Sequence, residues 1–237
     1  MKKLAIFAEG QTEQLFSERA VIYCAGEKQY EITKHSASGG SKQNPRIIEI
    51  GAESDNVEYF ILIIDCGTDS RVKSDIIERY PALIKAGYEK IIGIRDVYPS
   101  VQYSDLSKLR TGLKEKLPNG ALPISFILGV MEIEAWILAE HTHLQKFNSK
   151  LTVDRIKSEL GIDLLHENLS QRAIPSKDLA NIYWLESIEY DKSKKIVSQI
   201  LEVLDQSQLR HAVSDNFEDL LTFYCELESF FASNSGH

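Results

Sequence analysis

Cysteine is scarce: Cys24, Cys66 and Cys225 are the only three in 237 residues, odd in number and with no Cys-x-x-Cys spacing. That excludes a disulfide framework and points to reduced thiols in a cytosolic compartment. Cys66 follows a strand pattern and precedes Gly67. It can be a reactive thiol or a small buried hydrophobe, and the second is the better reading. Glycine (13) and proline (6) are few, which excludes collagen-like and low-complexity chains. Long apolar runs are missing as well. Leu4–Ala8 is too short for a signal peptide, and Phe60–Ile64 falls far below the roughly 18 residues of a membrane span. The expectation is a soluble, cytoplasmic protein with no membrane contact. Positive charge is the last deficit, since 27 Lys+Arg against 35 Asp+Glu leave a net −8. Proteins that coat nucleic acid by charge alone are usually basic. A nucleic-acid role here needs a local basic strip, metal ions on an acidic site, or a basic partner.

What is present is the composition of a globular chain, 43% hydrophobic and 26% charged, long enough for one large domain or two small ones. The first half alternates two periodicities. Leu4–Ala8, Tyr30–His35, Tyr59–Ile64, Lys90–Ile94 and Ile124–Val130 read as strands. Tyr59–Ile64 is apolar on both faces, as a central parallel strand requires. Helical stretches follow at Gln14–Ala25, opened by Thr12 and Glu13, and at about 70–86, 104–116 and 133–140. Repeated strand–helix–strand crossovers predict an α/β fold with a parallel, Rossmann-like sheet covered by helices on both faces. From about Leu151 the pattern is helical, with Ile196, Ile200, Val203 and Leu204 on one face and Phe217, Leu220, Leu221 and Tyr224 on another. The expected organisation is an α/β domain over 1–145 and a helical subdomain over 146–237 packed on it, with no Gly/Ser linker between them.

In an open parallel sheet, ligands bind beyond the carboxyl ends of the strands. Three strand ends carry acids, at Glu9, Asp65 and Asp96, and a fourth strand runs into Glu132 and Glu134. Carboxylates brought together repel unless protonated or bridged by a cation. Hard divalent ions with oxygen ligands, Mg²⁺ or Mn²⁺, answer that need and suit phosphoryl transfer. Acids also end strands because they cap the next helix, and Asp69 or Ser70 can play that part beside Asp65. Glu132 and Glu134 are two residues apart and diverge on a helix, so one of them faces the cluster, and Glu134 is preferred.

Glu9-Gly10-Gln11-Thr12-Glu13 after a first strand resembles the opening signature of Toprim domains, the topoisomerase–primase module. Met131-Glu132-Ile133-Glu134-Ala135-Trp136 is similar to the Glu-x-Glu-Ala-Trp element of a bacterial Toprim-like group related to overcoming-lysogenization-defect nucleases and RloB-type companions of ATPases. Ile174-Pro175-Ser176-Lys177, Glu189-Tyr190-Asp191-Lys192-Ser193 and the late Phe217 continue the series, which spans most of the chain. The resemblance implies a Mg²⁺-dependent (or Mn²⁺-dependent) nuclease acting on DNA or RNA in phage or plasmid defence, with an ATPase partner. It implies Glu9 as general acid or base, Asp96 and Asp65 as metal ligands, and Glu134 completing the acidic set. The departure lies at Asp96-Val97-Tyr98, with Tyr where a second Asp belongs, and at Asp65-Cys66-Gly67, with Gly. A catalytically silent binding or regulatory subunit on the same scaffold is the alternative.

Other features carry less. Lys108, Arg110, Lys114 and Lys116 form a basic strip suited to a phosphate backbone or to a plain solvated helix face. Tyr190 and Lys192 read either as a phosphate contact or as a structural pair. Gly39-Gly40-Ser41-Lys42 lacks the spacing of a phosphate loop and reads as a turn. His141 and His143 read as an exposed helix end rather than a zinc site. Tyr183, Trp184 and the late Phe and Tyr residues offer surface to a partner, a second copy of the chain included.

Overall fold

The computed structural model describes residues 1–36, 57–97, 103–213 and 216–232. Five strands, β1 (Lys2–Ala8), β2 (Tyr30–Ser36), β3 (Tyr59–Asp65), β4 (Lys90–Asp96) and β5 (Ile124–Gly129), form one all-parallel sheet in the order β2-β3-β1-β4-β5. The fold is α/β, as the sequence predicts. The three central strands are apolar on both faces because both faces are covered. Leu4, Ile6, Ile61, Ile63, Ile92 and Ile94 point to one face and Ala5, Phe7, Phe60, Leu62, Ile64 and Ile91 to the other.

Helix α1 (Gln11–Ala25) crosses the first face, and α2 (Asp69–Lys85) lies on the second between β3 and β4. Short α3 (Leu106–Lys114) precedes β5. The remainder is helical among the described residues: α4 (Glu134–Ala139), α5 (Thr142–Phe147), α6 (Val153–Leu160), α7 (Pro175–Trp184), α8 (Lys194–Val203), α9 (Gln206–Gln208) running into a wider turn over Leu209–Val213, and α10 (Glu218–Phe231). Helices α8 and α10 pack on α1, so α1 is sandwiched between sheet and helices. That explains why Thr12, Glu13 and Ser17 are buried on it beside Leu15, Phe16, Ala20 and Val21. A single apolar cluster runs from Leu4 of β1 to Phe231 of α10.

Two local features fix the β4–β5 side of the sheet. Gly93 in β4 faces α2, and a Cβ there would lie 2.9 Å from the Phe126 ring and 3.0 Å from Ile76 Cδ1. Buried Asp219, in the first turn of α10, reaches the outer strand β5, where Oδ1 accepts the Leu128 N–H at 3.0 Å. The Arg110 guanidinium clasps both oxygens of the same carboxylate. So Arg110 ties α3 to α10 and is not a solvated strip residue. Lys108 is exposed and pairs with Asp105 at 2.7 Å.

Two expectations are corrected. His143 is fully buried, with Nδ1 against the Glu140 carbonyl, and burial lowers its imidazole to about 4. Tyr183 is fully buried against Phe147 and Tyr190, and Phe217, Phe223, Tyr224, Phe230 and Phe231 are buried as well, so of the aromatics expected to offer surface to a partner Trp184, 67% exposed, is the one on the surface among the described residues. Cys66 is buried and its thiol is pushed up by desolvation, in keeping with an inert hydrophobe. Gly39–Lys42 and Tyr98 lie outside the described residues.

Candidate active site

The sheet order places β1 between β3 and β4, so the residues that leave these three strands meet at one edge. Ala8 stands opposite Asp65 on one side and Ile94 on the other. Glu9 follows directly, its own N–H bonded to the Ile94 carbonyl at 3.0 Å. Its side chain then turns to β4, where Oε2 accepts the Asp96 N–H at 2.8 Å.

Asp96 is fixed in turn from the far side. Its Oδ1 accepts the Ile133 N–H at 3.0 Å, just ahead of α4. Gly129 makes this approach feasible, because a Cβ at that position would collide with Asp96 Oδ1. Glu134, the first residue of α4, is fully buried. Its Oε1 receives the Tyr190 hydroxyl at 3.0 Å and the Lys192 ammonium at 2.7 Å, and its buried Oε2 has no partner among the described residues.

Glu13 is the member that sequence reasoning passed over. Its Oε2 accepts the Gly10 N–H at 3.0 Å, half of a capping box. Glu-x-x-x-Glu across a Gly was the available signal, but it names a cap. Only the layer of helices over α1 turns that cap into a buried acid. Glu132, which the spacing predicts to diverge from the cluster, has a different task. It accepts the Ser176 N–H at 2.7 Å and the Ser176 hydroxyl at 2.9 Å, holding the start of α7, and lies 3.8 Å from Lys192.

The electrostatics follow from crowding. Burial, then the charges of Glu13, Glu134 and Glu9, hold Asp96 well above the usual carboxylate range. Glu13 is pushed up to about 8, first by burial and then by Glu134. Glu9 is raised by burial against the pull of its bond to Asp96. Lys192 pays for its part-burial, but Glu134 more than offsets this and its ammonium is held above its ordinary value. Its backbone has φ +56°, a left-handed conformation that costs a non-glycine residue about 1–2 kcal/mol. That left-handed turn carries the ammonium that pairs with Glu134.

The structure therefore brings together Glu9, Asp96, Glu134, Tyr190 and Lys192. Asp65 stands apart. Its carboxylate is turned back onto the Gly67 N–H at 2.8 Å, and only burial and that bond act on it. Arg110 and Lys108 lie elsewhere, on α3. Asp69 and Arg95 pair at 2.8 Å on the opposite face, close enough for both charges to act on Glu9.

The donor set fits a hard divalent cation in kind: hard oxygens, mutual repulsion, and an unpartnered buried carboxylate oxygen on Glu134. As positioned, no three acidic, His or Cys side chains among the described residues surround one point at metal distance. Lys192 supplies the balancing charge instead.

The cluster makes stability depend on pH. Glu13 titrates near 4.5 when unfolded and near 8 when folded, so between these values the folded chain holds the extra proton. Stability from this group is full below about 4.5 and is lost as pH rises to about 8, by up to about 1.4 kcal/mol per pH unit. Glu13→Gln keeps an acceptor for Gly10. In EDTA its melting temperature is expected to fall less steeply from pH 5 to 9 than that of the parent chain. Parallel profiles would show that Glu13 is not the buried acid described.

Compared with known protein families, curated proteins and solved structures, the chain matches none.

Proposed function

We propose that this chain is a divalent-metal-dependent phosphoryl-transfer enzyme that hydrolyses phosphodiester bonds in DNA or RNA. One observation carries the reading: Glu9, Glu13, Asp96 and Glu134 converge beyond the carboxyl ends of the central strands, where burial and the neighbouring negative charges hold Glu13 and Asp96 above the usual carboxylate range. A set of this kind is costly to keep in a fold, and a charged ligand is what repays it. Glu9, Asp96 and Glu134 would hold Mg²⁺ or Mn²⁺, which supplies charge neutralisation at the phosphate and an acidified water.

The chain's own groups divide the remaining work. Glu9, with Oε2 anchored to the Asp96 N–H, accepts the proton of the attacking water. Water oxygen bonds to phosphorus, the bond to the leaving ribose oxygen breaks, and that oxygen takes up a proton. Lys192, part-exposed at the rim, faces the phosphate with its ammonium. Tyr190 holds Glu134 in place. A cytoplasmic setting, an ATPase partner and a role in phage or plasmid defence rest on the Toprim-like order of motifs. The three free thiols agree with the first, and no helix among the described residues is long and apolar enough to cross a membrane.

The ion pair of Lys192 with Glu134 favours a second reading, a silent subunit whose ammonium permanently stands in for the metal. Incubation with plasmid, single-stranded DNA and tRNA, in Mg²⁺, Mn²⁺ or EDTA, separates the two. Cleavage that requires the metal establishes the enzyme. No cleavage of any substrate, in Mg²⁺ or in Mn²⁺, moves the assignment to the silent subunit.

A further inference from the structure

A shallow, widely open cavity of about 450 Å³ lies between α2 and α3 on the sheet face opposite the carboxylates. Its lining holds more cations than acids, in a protein of net charge −8. Lys73, Arg95 and Lys108 line it with Asp105; Lys108 pairs with Asp105 at 2.7 Å and Arg95 with Asp69 at 2.8 Å, so Lys73 is the lining cation with no carboxylate partner among the described residues. Its floor is apolar, formed by Leu109 and Leu113.

The cations are positioned, two of them rigidly. Lys73 donates to the carbonyls of Gly112 at 2.6 Å and Glu115 at 2.7 Å, so its ammonium is fixed at the C-terminal end of α3 with no carboxylate partner among the described residues. Arg95 is 8% exposed and donates through Nη2 to Asp69 at 2.8 Å and weakly through Nε to the Asp96 carbonyl. Its Nη1 has no partner among the described residues. Lys108 is exposed at the rim and pairs with Asp105, itself part-exposed, at 2.7 Å, a contact a phosphate would compete for. A buried guanidinium with a free edge, beside a fixed ammonium, is built for an oxyanion such as phosphate. A bare phosphate would leave most of the cavity and both leucines uncovered. The volume falls in the range of sites for drug-sized ligands, roughly 300–1,000 Å³.

Position adds the last step. Arg95 and Asp96 are consecutive in β4, and alternation sends their side chains to opposite faces of the same strand end. A strand of nucleic acid laid across that end meets carboxylates on one side and cations on the other.

We infer that this cavity seats one nucleotide unit of the substrate, its phosphate between Lys73, Arg95 and Lys108 and its sugar or base on Leu109 and Leu113. The inference rests on the phosphodiesterase reading for its biological sense, but its test does not. In EDTA, the full chain is titrated calorimetrically with thymidine 5′-monophosphate, thymidine and inorganic phosphate. The monophosphate is expected to bind at least tenfold more tightly than either fragment, and Lys108→Glu to weaken it at least tenfold. Lys108 is exposed, so this variant folds; Lys73→Gln, checked by melting temperature, is the second arm. Equal binding of monophosphate and phosphate, or binding that neither variant alters, overturns the cavity. Glu9→Gln is expected to bind the monophosphate normally. If it does while the parent chain cleaves nothing, the enzyme reading fails and the cavity stands. If the parent cleaves and Lys108→Glu leaves KM unchanged, the cavity fails and the enzyme stands.

Discussion

Glu9→Gln is expected to slow metal-dependent cleavage by about 10²–10⁴-fold without loosening the fold, the scale on which a positioned general base acts. The amide keeps an oxygen to accept the Asp96 N–H, the contact that aims the side chain at 2.8 Å. It cannot take a proton, and it carries no charge for a cation. Asp96→Asn likewise keeps an acceptor for Ile133 and removes the charge at the centre of the cluster. Single-turnover rates at saturating Mg²⁺, with melting temperature as the control for folding, measure both. Burial raises Glu9 above the usual carboxylate range, so the rate of the parent chain should climb with pH to an inflection above about 4.5. A Glu9→Gln rate within tenfold of the parent would remove Glu9 from the chemistry.

Asp219→Ala should destabilise the fold by about 2–3 kcal/mol. Two losses add. The Leu128 N–H is left without its buried acceptor, which costs about 1–3 kcal/mol. The Arg110 pair is broken as well, at a smaller cost because that guanidinium side chain is 38% exposed and screened by solvent. For a chain of this size the melting temperature should fall by about 4–12 °C. Asp219→Asn retains an acceptor for Leu128 and loses only the charge, so it should cost about half as much. Equal losses from the two variants would place the whole effect in the ion pair and none in the cap on β5.

The strands were legible because burial on both faces forces continuous apolar runs. Tyr59–Ile64 is one residue short of its observed end, and Lys90–Ile94 stops two short because Arg95 and Asp96 are polar yet still paired to β5. Three of the carboxylates were legible for the same reason, since strand ends converge in a parallel sheet. The environment of each was not. Asp65 and Asp96 both end strands, but only Asp96 has an N–H from the α4 turn waiting across a glycine. Glu13 looks like a helix cap and His143 like a helix end. Both are buried by helices whose packing direction no local pattern records. Lys192 is 96 residues from Asp96, and its left-handed backbone is set by the turn, not by its residue type.

Gly93 has a bearing on which insertions and deletions this chain can tolerate. Strand β4 is isoleucine-rich on both faces, so sliding it by one position would leave its packing largely satisfied. Such a slide would, however, drive an isoleucine into a slot where even a Cβ lies 2.9 Å from Phe126. It would also swing Asp96 onto the α2 side and Arg95 in among the carboxylates. A change of one residue in the short turn between α2 and β4 would thus exchange the acid and the guanidinium. The glycine acts as a detent, and length variation in a relative of this protein should fall in other loops before it falls in that one.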